Sequence, residues 1–225
     1  CLRRPHSCLR RTGDRLMHSE ILKRLLEDRA AKVPVVLATR LSDGLQKLLY
    51  HSDTNEENTL LQATNEALAS DKGRIVTAAD GEWFLNVFNP PLRLIIVGAV
   101  HIAQPLARIA ALAGYDVTVI DPRTAFASED RFPGIRLVTE WPDEAMAAEA
   151  PDTRTAVVTL THDPKLDDPA LKAALGSSCF YIGALGSRKT HGARLERLKA
   201  AGFDDQTLSR IHGPVGLSIG AKSPA

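Results

Sequence analysis

The stretch Leu94-Ile95-Ile96-Val97-Gly98-Ala99-Val100-His101-Ile102-Ala103-Gln104-Pro105-Leu106-Ala107 decides the fold. Leu94 to Val97 are apolar without alternation, the pattern of a strand buried on both faces, as parallel strands covered by helices are. A glycine ends the run, and 103–112 continue at helical spacing. A strand that passes through a glycine turn straight into a helix is how a dinucleotide-type βαβ unit begins. That turn asks for a first glycine for tight geometry, a second where a pyrophosphate approaches, and a small third residue for helix packing. Gly98 and Ala103 meet the first and third needs, whereas Val100 stands where the second glycine belongs. The turn therefore speaks more for the fold than for a dinucleotide.

Outward from this stretch the same texture continues. Short apolar runs at 92–97, 116–120, 135–138, 155–160 and 179–182 read as strands, and 103–112, 142–150, 169–175 and 190–200 read as the helices between or after them. Buried strands alternating with helices give an α/β, Rossmann-like doubly wound parallel sheet. Towards the amino terminus the pattern differs. A helix at 19–31 precedes a hairpin, 33–39 and 45–50 around Ser42-Asp43-Gly44; a helix at 56–70 precedes a second hairpin, 74–78 and 83–88 around Asp80-Gly81. That half reads as a smaller α+β domain. Asn89-Pro90-Pro91 interrupts every regular pattern, because two prolines lack backbone donors and force an extended path. Residues 17–91 are expected to form the small domain and 92–225 the Rossmann-like one. Residues 1–16, rich in arginine and lacking an apolar core segment, are expected to be an extension upstream of a functional start at Met17.

Composition narrows the function classes. The chain has 225 residues, with Lys+Arg 28 against Asp+Glu 27, 44% hydrophobic and 24% charged residues. Balanced charge argues against a nucleic-acid or anionic-membrane surface as the main partner. The longest apolar run falls far short of the roughly 20 residues of a membrane span. Three scattered cysteines, Cys1, Cys8 and Cys179, form neither a disulfide framework nor a metal knuckle, so a reducing compartment and a cytoplasmic location are expected.

Ligands of an open α/β sheet bind outside the carboxyl ends of its strands. The polar residues there are His101 after the first strand, Asp121 and Arg123 after the second, Thr161, His162 and Asp163 after the fourth, and the loop Gly183 to Arg188, with Gly186 and Ser187, after the fifth. Asp121 lies 23 residues beyond Gly98, where a ribose-binding acid would stand. The loop 183–188 opens a helix with serine and arginine, a cradle for an anion through backbone N–H groups and a guanidinium fork. Each position also has a plainer reading: His101 or Thr161-His162-Asp163 as helix caps, Asp121-Pro122-Arg123 as a turn with an ion pair. No histidine pair has i, i+4 metal-ligand spacing, so no metal site is expected. Cys179, opening the fifth strand, reads as a core thiol.

The blocks LIIVGAVHIAQPLA (94–107), YDVTVIDPRTAFASEDRFP (115–133), AVVTLTHDP (156–164), YIGALGSR (181–188) and IHGPVGLSIGA (211–221) resemble, in order, the XdhC/CoxF-like family of xanthine dehydrogenase accessory proteins. The resemblance runs from Leu92 to the end of the sequence. VPVVLATR (33–40) is similar to the start of the family's other domain, without the Gly/Ser-rich, cysteine-containing segment seen in many members. The family's Gly-Ala-Gly-His turn is Gly98-Ala99-Val100-His101 here, and similar proteins continue past Ala225 into a further helix, so a shortened carboxyl terminus is expected.

The resemblance implies a cofactor-binding chaperone rather than a catalyst. It would bind the molybdenum cofactor, a pyranopterin phosphate (molybdopterin), and support its sulfuration and insertion into a xanthine dehydrogenase-like molybdenum hydroxylase. A cysteine desulfurase is a further implied partner, and homo-oligomers are compatible with it. On this reading the helix after Ala103 and the loop 183–188 receive the phosphate, Asp121 and Arg123 face polar edges of the pterin, and His101 and His162 lie nearest the metal end. The alternative, from another class, is an NAD(P)-dependent oxidoreductase or a non-catalytic dinucleotide sensor; it requires a cofactor that tolerates Val100.

Overall fold

The computed structural model describes residues 19–51, 53, 58–217 and 219–220. Residues 1–16, Met17, Cys1 and Cys8, and the last residues of the chain lie outside the described residues. The chain divides into two compact units, Cys1–Pro90 and Pro91–Ala225.

In the first unit α1 (Ser19–Ala30), β1 (Val35–Arg40), β2 (Gln46–Leu49), α2 (Asn58–Ser70), β3 (Arg74–Ala78) and β4 (Gly81–Phe88) follow in order. The strands make an antiparallel sheet in the order β2-β1-β4-β3. Gly44, at φ 76°, permits the β1–β2 turn, and Asp43 accepts the Leu45 N–H there at 3.0 Å. Leu60, Ala63, Ala67 and Leu68 of α2 pack against Val36, Ala38, Trp83 and Leu85 on one sheet face.

The second unit contains β5 (Arg93–Val97), α3 (Ala103–Leu112), β6 (Asp116–Ile120), β7 (Arg136–Val138), α4 (Pro142–Glu149), β8 (Thr155–Thr159), α5 (Pro164–Leu175), β9 (Tyr181–Ala184), α6 (Arg188–Ala200), α7 (Asp205–Leu208) and β10 (Ile211–His212). Its six strands are all parallel, in the order β10-β9-β8-β5-β6-β7. In chain order this is 3-2-1-4-5-6, the doubly wound arrangement whose direction reverses between β5 and β8.

Residue parity explains why these strands are buried at nearly every position. Ile95, Val97, Val157 and Ile182 face a core with Met146 of α4, Leu171 of α5 and Leu198 of α6. Leu94, Ile96, Val119 and Val158 face the opposite core with Ala103, Ala107 and Ala110 of α3 and Phe132 of the β6–β7 connection. Successive side chains on a strand point to opposite faces, so both sets must be apolar. The alanine stripe of α3 brings that helix close to the sheet, and Ala103 has no exposed surface. The outer strands β7 and β10 are short, which limits unpaired edge.

Several boundaries differ from the sequence reading, mostly by one or two residues, α6 beginning at Arg188 rather than 190 among them. β10 is a two-residue strand that periodicity does not register. β9 begins at Tyr181, two residues beyond Cys179, which is buried just before it. α5 begins at Pro164 rather than 169, because the Asp163 side chain accepts the Lys165 N–H at 2.9 Å and Pro164 takes a first-turn position where no donor is needed.

Candidate functional site

At the carboxyl end of β5 the chain turns through Gly98, at φ 111°, whose N–H donates to the Ile120 carbonyl at 2.8 Å. A Cβ on Gly98 would lie 2.5 Å from Thr161 Cγ2, so the glycine lets the β5 turn pass against the β8–α5 loop at the point where the sheet reverses. The next N–H, of Ala99, donates to Asp121 Oδ2 at 2.8 Å. Asp121 also accepts from Arg123: Oδ1 from the backbone N–H at 3.0 Å and Nε at 2.8 Å, Oδ2 from a terminal nitrogen at 2.7 Å. Its side chain is 0% exposed and that of Arg123 40%. Burial pushes this carboxyl upward, but the Arg123 and Ala99 hydrogen bonds outweigh burial and hold it below the usual range. Asp121 is thus occupied by the protein's own donors, and Arg123 lies over the Phe126 ring at 4.5 Å.

Val100, in the place of the second glycine, is half-buried and packs against the α3-side core. His101 is exposed and does not cap α3; the capping position is Ile102, whose side chain makes no cap bond. The backbone N–H groups of Ala103 and Gln104 reach the Val100 and His101 carbonyls at 3.1 and 3.3 Å.

After β8, Thr161 Oγ1 donates to Asp167 Oδ1 at 2.6 Å and accepts the Asp163 N–H at 3.0 Å. His162 is exposed, in the left-handed region at φ 63°. Asp163 is the N-cap of α5. After β9 the loop is shorter than the sequence suggests: Gly183 lies inside the strand, where a Cβ would meet Val215 Cγ2 at 2.7 Å and Tyr181 Cε1 at 2.9 Å. Close packing, rather than a loop conformation, requires that glycine. Gly186, at φ 147°, is the glycine the turn needs, and Ser187 caps α6 by accepting the Thr190 N–H at 3.1 Å. Arg188 is exposed at the first position of α6.

Behind these loops lies a layer that sequence reasoning missed. Asp167 and Arg194 are each 1% exposed, with Arg194 approaching Asp167 Oδ2 at 3.5 Å and donating to the Leu185 carbonyl at 2.8 Å. Asp167 thus holds the β8–α5 loop through Thr161, and Arg194 the β9–α6 loop through Leu185. Burial raises the Asp167 carboxyl despite the Thr161 hydrogen bonds and the Arg194 charge. Arg194 Nε, one of its terminal nitrogens, Thr159 Oγ1 and His191 Nδ1 are buried without a hydrogen-bond partner. Burial, then the neighbouring Arg194, lowers the His191 pKa and favours its neutral form. The local signal for this layer was a charged residue, Arg194, one turn before the core residue Leu198 on α6. Among the described residues, no group of three His, Cys, Asp or Glu side chains is arranged to hold a metal, and no helix is long and apolar enough to cross a membrane.

The family model of the XdhC Rossmann domain matches residues 94–225, more than half of the chain and nearly all of the doubly wound unit. The chain belongs to the XdhC family. It is 37% identical over 139 residues to the molybdenum cofactor insertion chaperone PaoD of Escherichia coli (strain K12), covering 60% of this chain and 37% of that protein. It is 32% identical over 142 residues to a Bacillus subtilis (strain 168) protein named as a probable xanthine dehydrogenase subunit, covering 63% of this chain and 41% of that one. The chain therefore spans about two fifths of the length of these curated relatives. A crystal structure described as a xanthine dehydrogenase from Bacillus halodurans shares the fold, with TM-score 0.66 at 22% identity, over 91% of this chain and 59% of that one. The XdhC Rossmann domain is thus the part of the chain in which the strand-end loops meet.

Proposed function

We propose that this XdhC-family chain serves the maturation of a xanthine dehydrogenase-type molybdenum hydroxylase, binding the molybdenum cofactor at the carboxyl edge of its parallel sheet and passing it to the enzyme. The observation that carries this reading is the family match together with the likeness to a molybdenum cofactor insertion chaperone. Support of sulfuration alongside a cysteine desulfurase, and a cytoplasmic location, belong to the same proposal.

The residues present suit an anionic pterin better than a dinucleotide. The cofactor carries a phosphate, and α6 begins with Arg188 and Lys189 and has no acid in its first turn. A helix N-terminus with no first-turn acid and with added cations favours an anion. The ribose-reading position of a dinucleotide fold is Asp121, and its carboxylate is taken by Ala99 and Arg123. Val100 fills the place of pyrophosphate approach and packs into the core. The phosphate would then lie over the loop Gly186-Ser187-Arg188, with Thr161, His162 and His101 around the rest of the ligand. When bound, the cofactor supplies the molybdenum centre destined for the client enzyme; the chain's own residues bind and orient it.

The test is a titration of the full chain with molybdenum cofactor, followed by reconstitution of an apo molybdenum hydroxylase. Retention of the cofactor and faster activation of the client are expected, with retention weakened about tenfold in Arg188→Ala combined with His162→Ala, both exposed residues. No retention by wild type overturns the proposal. A thermal shift with NADH examines the oxidoreductase reading, since a ligand at 100 times its Kd stabilises by about 2.7 kcal/mol; a large shift with NADH and none with the pterin reverses the ranking.

A further inference from the structure

We propose that Arg194, a residue buried beneath the β9–α6 loop, is the anion-binding side chain of the crevice and takes the phosphate group of its ligand; this rests on the cofactor-binding reading above. The guanidinium lies directly under Leu185 and Gly186. One terminal nitrogen donates to the Leu185 carbonyl at 2.8 Å, and the other lies 3.8 Å from where a Cβ on Gly186 would stand. Nε and that second terminal nitrogen are buried without an acceptor, although Arg194 is 1% exposed. A guanidinium has five N–H donors and cannot release its charge, so a buried one is normally surrounded by acceptors.

The neighbouring carboxylate does not fill that role. Asp167 approaches only to 3.5 Å, at the long end for a charge-assisted bond, and its other oxygen is committed to Thr161. Burial also raises the Asp167 pKa, which weakens it as a counter-ion.

The surroundings select an oxyanion. Gly186, at φ 147°, carries no side chain over the guanidinium, and the N-terminus of α6 starts immediately beyond it, at Ser187. The first two residues of that helix are Arg188 and Lys189, cations where helices usually carry acids. A phosphate monoester seated on Gly186 and Ser187 would accept from the Arg188 and Lys189 N–H groups above, the Thr190 N–H being held by Ser187, and from Arg194 below. Nε and the free terminal nitrogen lie on different edges of the guanidinium, so the free terminal nitrogen beside Gly186 is the donor the phosphate would take, from a side chain that keeps its charge at any pH. Thr161 and Leu185 are both tied to the Asp167 and Arg194 pair, so an anion drawn to Arg194 would also set the spacing of the two ligand loops.

The experiment uses the full chain and two probes, inorganic phosphate and molybdenum cofactor, by calorimetric titration of wild type, Arg194→Lys and Arg194→Met. Circular dichroism checks that each variant is folded. Wild type is expected to bind phosphate, phosphate to compete with the cofactor, and both variants to weaken phosphate at least tenfold, with lysine retaining more than methionine. Should Arg194→Met fail to fold, the tenfold loss in Arg194→Lys decides the question alone. Absence of phosphate binding by wild type, or equal affinity in wild type and Arg194→Lys, overturns the proposal. If the cofactor binds wild type and Arg194→Lys equally, this inference fails and the maturation reading stands. If phosphate binds through Arg194 while wild type retains no cofactor, the maturation reading fails and the anion site stands.

Discussion

Two ends of one sheet edge, built from the same kind of strand, treat their charged groups in opposite ways. At the β5–β6 end, Asp121 is fully buried and each oxygen accepts from named donors, Ala99 and Arg123. At the β8–β9 end, Asp167 and Arg194 are equally buried, yet they meet at only 3.5 Å and two guanidinium nitrogens have no acceptor. The first end is closed by its own hydrogen bonds, so it fixes the turn. The second holds its loops and still has donors in reserve. Burial alone therefore does not separate scaffold from site; completeness of the hydrogen bonding does.

The largest expected effect breaks the closed end. Asp121→Ala leaves the buried Ala99 N–H without an acceptor and frees Arg123, which is 40% exposed and can turn to water. A lost charge-assisted bond and an unpaired buried donor together predict destabilisation of about 3 kcal/mol. Hydrogen exchange of the β5 and β6 amides should accelerate about a hundredfold. An unchanged exchange rate would remove Asp121 from the scaffold.

Gly98→Ala strikes the seam between the two ends. The residue has φ 111°, and the new Cβ would lie 2.5 Å from Thr161 Cγ2. Backbone strain and the displaced threonine predict a loss of about 2 kcal/mol. Thr161 carries the hydrogen bond to Asp167, so the change should also weaken ligand binding, whereas a stability loss with intact binding would separate the two ends. Ser187→Ala, confined to the open end, removes the cap bond to the Thr190 N–H and the exposed contact with the Thr190 hydroxyl at 2.9 Å. About 1 kcal/mol is expected, read from a urea unfolding midpoint.

The sheet was legible because both of its faces are buried: Leu94 to Val97 cannot alternate when α3 covers one face and α4, α5 and α6 the other. The strand-end rule then placed the loops after β5, β6, β8 and β9 along one edge of the parallel sheet. What stayed hidden depends on contacts far apart in sequence. Asp167 and Arg194 lie on different helices, 27 residues apart, and no spacing pattern joins them. Asp121 was visible as an acid at the right place, but whether it faced a ligand or Ala99 was decided by the neighbouring Arg123 folding back on it. Gly183 read as a loop glycine because its neighbours did, whereas the packing of Val215 and Tyr181 against it places it in β9.

The smallest effect is a slope, and it separates the two ends by sign. Asp121 has a folded pKa below its unfolded value, so its contribution is complete above the unfolded value and disappears as pH falls through the folded one. Asp167 has a folded pKa above its unfolded value, so its contribution is complete below the unfolded value and disappears as pH rises through the folded one. Asp167→Asn keeps an acceptor for Thr161 and removes the titration. The stability gap between wild type and Asp167→Asn should therefore narrow as pH rises from about 4 through the raised folded value, because between the two the folded state holds more protons than the unfolded state. Asp121→Asn should show the reverse, a gap that opens as pH rises out of the acid range. Urea titrations at a series of pH values provide both curves. Parallel curves for the two variants would mean that both carboxylates are equally well paired, and the distinction between a closed end and an open one would be lost.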